Sequence, residues 1–172
     1  MCETPELACK TTLQPIERYD GLLDAAIIFC DILVIPKAMG MPLRMIEAKG
    51  PTFDEPLATP DDIRKLKEKI DIRKELGYVL DAISLTRREL NGRVPLFGFA
   101  GAPWTLLAYM IEGGGSKTFT KAKGWLYKYP QETKGLLQRI TDITIDFLAE
   151  QVIAGAQVHQ CKFCLRVDFA NI

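Results

Sequence analysis

Apolar residues in this chain come in two rhythms, short unbroken runs and long stripes at three- and four-residue spacing, and these predict alternating strands and helices. Val94 to Phe99 is a short apolar run bounded by Gly92 and Gly101, as in a strand buried on both faces. Pro103 then stops the ladder and suits the first turn of a helix. Leu106, Leu107, Tyr109, Met110 and Ile111 carry that helix to Gly113–Gly115. Three successive glycines fit a place where backbone turns sharply or comes close to a ligand. The alternative is a loose surface loop after an element that only builds core.

Two more runs read as strands, Ala25–Asp31, flanked by Asp24, and Ala156–Phe163. Pro5–Tyr19 predicts a helix containing Pro15. Thr59-Pro60-Asp61-Asp62 carries a capping threonine, proline at the first helical position and acids in the first turn. The following Arg64–Lys69 run reads as a solvated helix face. Ile72, Leu76, Val79, Leu80, Ile83 and Leu90 form an amphipathic stripe over Ile72–Leu90, stopped by Asn91-Gly92. Thr120–Tyr127 predicts a short helix. Pro130–Ala154 predicts the longest, with Leu136, Leu137, Ile140, Ile143, Phe147, Leu148 and Val152 inward and Gly155 closing it. Pro36–Met41 and Ile46–Pro60 read as loops, including the segment KGPTFDEP. Strand, helix, strand, helices, strand is the order of a parallel α/β sheet with right-handed crossovers.

The 172 residues suit one domain with a sizeable core. Lys plus Arg total 22 and so do Asp plus Glu, so no global field recruits nucleic acid or an anionic membrane. A polyanionic substrate would need a local cationic patch. MCETPELACK lacks the charged and apolar regions of a signal peptide. Leu22–Pro36, cut by Asp24 and Asp31, is too short to cross a bilayer. These features predict a soluble, cytoplasmic chain with no nucleic-acid or membrane partner. The 5 cysteines are scattered, a poor disulfide framework. His159, Cys161 and Cys164 make a weak zinc set with no fourth ligand, so no metal is expected.

In parallel barrels chemistry gathers at the carboxyl ends of the strands. Asp31 falls at one such end, Gly101 at another, and Tyr109 a few residues beyond. Read from the residues alone, Asp31 is a site carboxylate or a turn or helix-capping aspartate. Tyr109 is a ligand-binding hydroxyl or a buried aromatic with one partner.

The stretches GFAGAPWTLLAYMIEGGGSK, KAKGWLYKYPQ, LDAAIIFCDILVIPKAMGM and TTLQPIERYDGLLDAA resemble the uroporphyrinogen decarboxylase family, from about Pro5 to about Gln160. The resemblance implies an α/β fold, a partial (β/α)8 TIM-type barrel of about three parallel strands with flanking helices. The strands here would be the barrel's second, third and fourth. It implies removal of CO2 from the four acetate side chains of a tetrapyrrole, uroporphyrinogen, in haem biosynthesis, without metal or organic cofactor, by a homodimer. It assigns Asp31 as the carboxylate that takes the pyrrole N–H groups and stabilises the protonated ring. Tyr109 and backbone near Gly101 become substrate contacts, and Trp104 and Trp125 are left to packing.

Two departures accompany the match. The family's arginine-rich loop, which grips substrate carboxylates, has no counterpart here. Arg44, Arg64, Arg73, Arg87, Arg88 and Arg93 fall in expected loops or on helix faces. After Gln160 the chain reads CKFCLRVDFANI, so residues 1–160 are expected to form the partial barrel and 161–172 a divergent tail. The resemblance therefore implies a partial chain inactive alone, or a non-catalytic product that at most associates with intact subunits. The fold-related corrinoid methyltransferases would need a late-barrel zinc site of histidine and cysteine.

Overall fold

The computed structural model describes residues 4–28, 30–47 and 50–162. Its elements run α1 (Pro5–Arg18), β1 (Ala26–Ile27), α2 (Val34–Ala38), β2 (Leu43–Ile46), β3 (Gly50–Phe53), α3 (Ile72–Leu90), β4 (Leu96–Gly101), α4 (Pro103–Glu112), α5 (Thr120–Lys128), α6 (Pro130–Ala154) and β5 (Val158–Lys162). A 3-10 turn at Pro60–Lys65 lies between β3 and α3. The 161–172 tail falls, apart from Cys161 and Lys162, outside the described residues.

Three strands form a parallel sheet in the order β1-β4-β5, the alternation the sequence predicts. Ala26 sits opposite Leu96 and Ile27 opposite Phe97, while Phe97 to Gly101 run opposite Val158 to Lys162. Side chains alternate across the pleat. Ala26, Ile28, Leu96 and Ala100 are therefore buried on one face, against the helices. Ile27, Phe97, Phe99 and Val158 lie on the other, which is more open.

The helices begin and end where local chemistry dictates. The Asp71 carboxylate accepts the Lys74 N–H at 3.1 Å and caps α3, and Asn91 ends it in the left-handed region at φ 47°. All six stripe residues of that helix are buried. At the 3-10 turn the Asp62 carboxylate accepts the N–H groups of Ala58 and Thr59 at 3.0 and 2.9 Å. Lys65 pairs with Asp62 at 2.7 Å, and with those two N–H groups it lowers the Asp62 pKa to about 2.

Four expectations are corrected. The ladder of β1 covers only Ala26 and Ile27, with one further bond from the Ile28 N–H to the Phe97 carbonyl, so Asp31 stands past the strand. Val34–Ala38, expected as chain leaving a strand for a loop, is a short helix that follows directly on the turn in which the Asp31 carboxylate accepts the Leu33 N–H. KGPTFDEP is no loop throughout: Gly50–Phe53 pairs antiparallel with Leu43–Ile46 as a hairpin. The Arg44–Asp54 ion pair at 2.9 Å ties the hairpin's two sides. Its far side bonds to the end of α4, Phe53 N–H to Gly113 carbonyl at 2.7 Å and Leu57 N–H to Met110 carbonyl at 2.9 Å. Finally, the buried stripe of α6 runs Leu136, Ile140, Ile143, Thr144, Phe147, Gln151, leaving Val152 outside at 56% exposure.

Candidate active site at the carboxyl end of the sheet

Asp31 follows the last β1 hydrogen bond and turns the chain into α2. Its Oδ1 accepts the Leu33 N–H at 2.8 Å, a tight turn bond that fixes the carboxylate half-buried at the sheet's end. This is the turn role foreseen as one alternative, and it engages one of the two carboxylate oxygens. Gly101 ends β4, the neighbour of β1, at the same end of the parallel sheet. The loop closes over that position: a Cβ on Gly101 would lie 3.1 Å from the Ile32 carbonyl oxygen and 2.5 Å from Leu106 Cδ2. Gly101 is therefore glycine because backbone and α4 crowd it, an immediate reason that does not involve a ligand. Lys162, the last described residue, is its strand neighbour on the other side.

Tyr109 lies two turns along α4 from Gly101. Its ring meets Phe119 with centroids 6.4 Å apart, and a Cβ on Gly115 would lie 3.8 Å from its hydroxyl. Asp31 and Gly101 thus share the sheet's carboxyl end, whereas the described contacts of Tyr109 are with the segment after α4. The first glycine of the triplet makes a turn. Gly113 caps α4 at φ 85° and accepts the Phe53 N–H, and a Cβ there would meet Pro56 at 3.3 Å. Beside it, a recess lined by Thr52, Phe53, Pro56 and Glu112–Gly115 encloses about 530 Å³.

Trp104 and Trp125 are core residues as expected, although the Trp104 indole N–H has no partner among the described residues. Several of the described arginines are engaged with other partners than Asp31. Arg73 pairs with Glu150 at 2.7 Å and Arg64 with Asp61 at 3.6 Å. Arg93 donates to the carbonyls of Leu90 and Glu89. Arg139, on α6, donates from Nη2 to the Leu66 carbonyl at 2.6 Å and to that of Lys67. No cluster of three metal-ligating side chains occurs among the described residues, Cys161 is exposed, and Cys164 lies outside them. Among the described residues no helix is long and apolar enough to cross a membrane.

Two site-supporting residues escaped the sequence reading. Gln151, fully buried on α6, and Gly98, against which it packs, hold β4 in place. The signal was there in part: a glutamine one turn after Phe147 lies on the buried stripe, where a polar group needs a partner.

The sequence profile of the family described as uroporphyrinogen decarboxylase (URO-D) matches residues 1–162. The chain belongs to the uroporphyrinogen decarboxylase family. Over 160 residues it is 62% identical to the uroporphyrinogen decarboxylase of Schizosaccharomyces pombe, covering 93% of this chain and 45% of that protein. It is 56% identical to the Salinibacter ruber protein of the same name, covering 92% of this chain and 44% of that one. The human one is 54% identical, with 92% and 43% covered. The chain thus spans less than half the length of these relatives. Among solved structures a methyltransferase from Methanosarcina mazei superposes with a TM-score of 0.75 at 23% identity, over 92% of this chain and 45% of that one. That likeness establishes the fold alone: a partial (β/α) TIM-type barrel, here three parallel strands with their helices.

Proposed function

We propose that this chain carries the Asp31 portion of a uroporphyrinogen decarboxylase site. The observation that carries the proposal is a carboxylate fixed at the carboxyl end of a parallel sheet, in a chain that matches this family over residues 1–162. Removing CO2 from an acetate on a pyrrole needs a sink for the electron pair of the breaking C–C bond. Protonation of the ring carbon next to the one that bears the acetate makes the pyrrole a cation. The pair of the breaking C–C bond flows into that ring as CO2 departs, leaving an exocyclic methylene, which a second proton converts to the methyl group as the ring gives back the first. A fixed carboxylate beside the pyrrole nitrogens accepts their N–H bonds and lowers the energy of the cation. Asp31 is suited to this because the Leu33 N–H already orients it, so little reorganisation accompanies the charge. Tyr109 is assigned to a substrate carboxylate, and backbone near Gly101 to positioning the ring. The reaction draws on no metal or organic cofactor.

The test joins residues 1–160 to the remaining part of the Schizosaccharomyces pombe relative and measures coproporphyrinogen formed and melting temperature together. Asp31→Asn preserves the Leu33 bond through its amide oxygen, so folding should be retained. Turnover should fall on the order of a hundredfold, the usual effect of losing one preorganised electrostatic partner. Asp31→Glu should also be slow, since one methylene displaces the oxygens. Normal melting with turnover within a few-fold of the parent removes Asp31 from the chemistry and leaves only its turn role. The 172-residue chain alone should show negligible turnover.

A further inference from the structure

The segment after Gly113 holds Lys117, Lys121, Lys123, Lys128 and Lys134, with Glu132 its one acid. All these lysines are exposed, and none pairs with a carboxylate among the described residues. Lys128 instead lies 5.0 Å above the Tyr129 ring. Glu112, at the end of α4, is engaged with backbone: its Oε1 accepts the N–H groups of Lys121 and Ala122, at 2.9 and 3.2 Å, closing the first turn of α5. The chain's other basic run differs. There Arg64, Lys65 and Lys67 pair with Asp61, Asp62 and Glu75. In a chain of balanced formal charge, α5 and the start of α6 thus form a local cationic surface.

Two further features sit on that surface. Tyr127, 74% exposed, stands between Lys123 and Lys128, and Gly124 beside it leaves open space where a side chain would be. A flat exposed ring among ammonium groups suits a ligand that is both ring-built and rich in carboxylates. The helix that carries them is tied to the helix of Tyr109, because the buried Phe119, at the start of α5, packs on the Tyr109 ring.

We propose that the lysine-bearing face of α5 is a collecting surface for the polycarboxylate tetrapyrrole, holding it loosely through its acetate and propionate groups beside Tyr109. This rests on the substrate reading above. Each exposed lysine–carboxylate contact is weak, but their joint field raises the local concentration and the association rate of a polyanion, and salt screens it.

The probe is uroporphyrin, the stable oxidised form of that substrate, mixed rapidly with the 172-residue chain. Association should be fast at about 0.01 M salt and fall steeply by about 0.15 M. The triple variant Lys121→Gln, Lys123→Gln, Lys128→Gln should associate about tenfold more slowly at low salt, and the gap should close at high salt. Its melting temperature should match the parent's, since the replaced groups are exposed. Coproporphyrin, with fewer carboxylates, should associate more slowly than uroporphyrin. The proposal is overturned if the triple variant associates like the parent, if no association occurs at low salt, or if inorganic polyphosphate binds as tightly. Asp31→Asn separates the two readings. Loss of turnover there with no effect of the lysines leaves the catalytic assignment standing and removes this one. Slowed association in the lysine variant with full Asp31→Asn turnover does the reverse.

Discussion

Gln151 grips the backbone of Phe99 with both ends of its side-chain amide: Oε1 accepts the Phe99 N–H at 2.8 Å, and Nε2 donates to the Phe99 carbonyl at 3.1 Å. The carbonyls of Pro95 and Phe97 serve β1, bonding to Ala26 and Ile28, so by alternation the polar groups of Phe99 point the same way. The glutamine takes the place of a strand neighbour where the β1 ladder has ended. Gly98 makes room for it, since a Cβ there would lie 2.5 Å from Gln151 Oε1 and 2.8 Å from the His159 ring.

Replacing Gln151 with Leu should leave two backbone groups of Phe99 unpaired and cost about 1–3 kcal/mol. Gly98→Ala should cost about 1–3 kcal/mol by overpacking against a side chain already tied at both ends. Denaturant midpoints of the two variants test both. A Gln151→Leu chain as stable as the parent would show that the amide contributes nothing beyond its volume.

The same substitution should act with opposite sign at two glycines. Gly113→Ala meets a left-handed backbone at φ 85° and Pro56 at 3.3 Å, so it should lose about 1 kcal/mol and loosen the hairpin held by the Phe53 N–H. Gly124→Ala lies in α5 with nothing within 4 Å and should gain about 0.5–1 kcal/mol. Melting curves give the signs, and amide exchange at Phe53 reports the hairpin.

His159 is the chain's only histidine, its Nε2 is buried without a partner among the described residues, and burial lowers its pKa below the ordinary 6.5. The unfolded chain therefore takes up the proton first as pH falls. The stability tied to the neutral ring is complete above pH 6.5 and is lost as pH drops toward the folded value. Melting temperature should fall between about pH 7 and 5.5, and His159→Gln should flatten that slope. A parent that melts identically across this window would contradict the buried neutral ring.

On α6 the outward residues Val152 and Ile153 are 56% and 69% exposed, and β5 is an edge strand of the sheet among the described residues. Exposed apolar surface and an open strand edge both favour association. The chain should bind an environment-sensitive apolar dye and elute larger as concentration rises. Val152→Lys with Ile153→Lys should reduce both while leaving the melt in place, and a sharp monomer peak for the parent would contradict the expectation.

Much of this was readable in advance because it depends on neighbours in the chain. Pro103 starting α4, Asn91 ending α3 and Gly155 ending α6 are local effects of ring, amide and missing Cβ, and the stripe of α3 needs only a helical period. The alternation of those elements was enough for a parallel sheet, and Asp31 and Gly101 were placed at its carboxyl end from the order of residues alone. What stayed hidden depends on residues far apart in the chain. The hairpin Leu43–Phe53 reads as loop because its apolar residues keep no clear period, and its place is set by α4 bonding to Phe53 and Leu57. Gly101 has a reason the sequence does not carry, since Ile32 and Leu106 occupy the space a Cβ would need, while Gly113 makes the sharp turn that the triplet offered as one alternative, at φ 85°. The role of Gln151 is likewise set from afar: its place on the buried stripe of α6 says only that its amide needs a partner, and that partner, the Phe99 backbone facing the side where the β1 ladder has ended, lies 52 residues away in the chain.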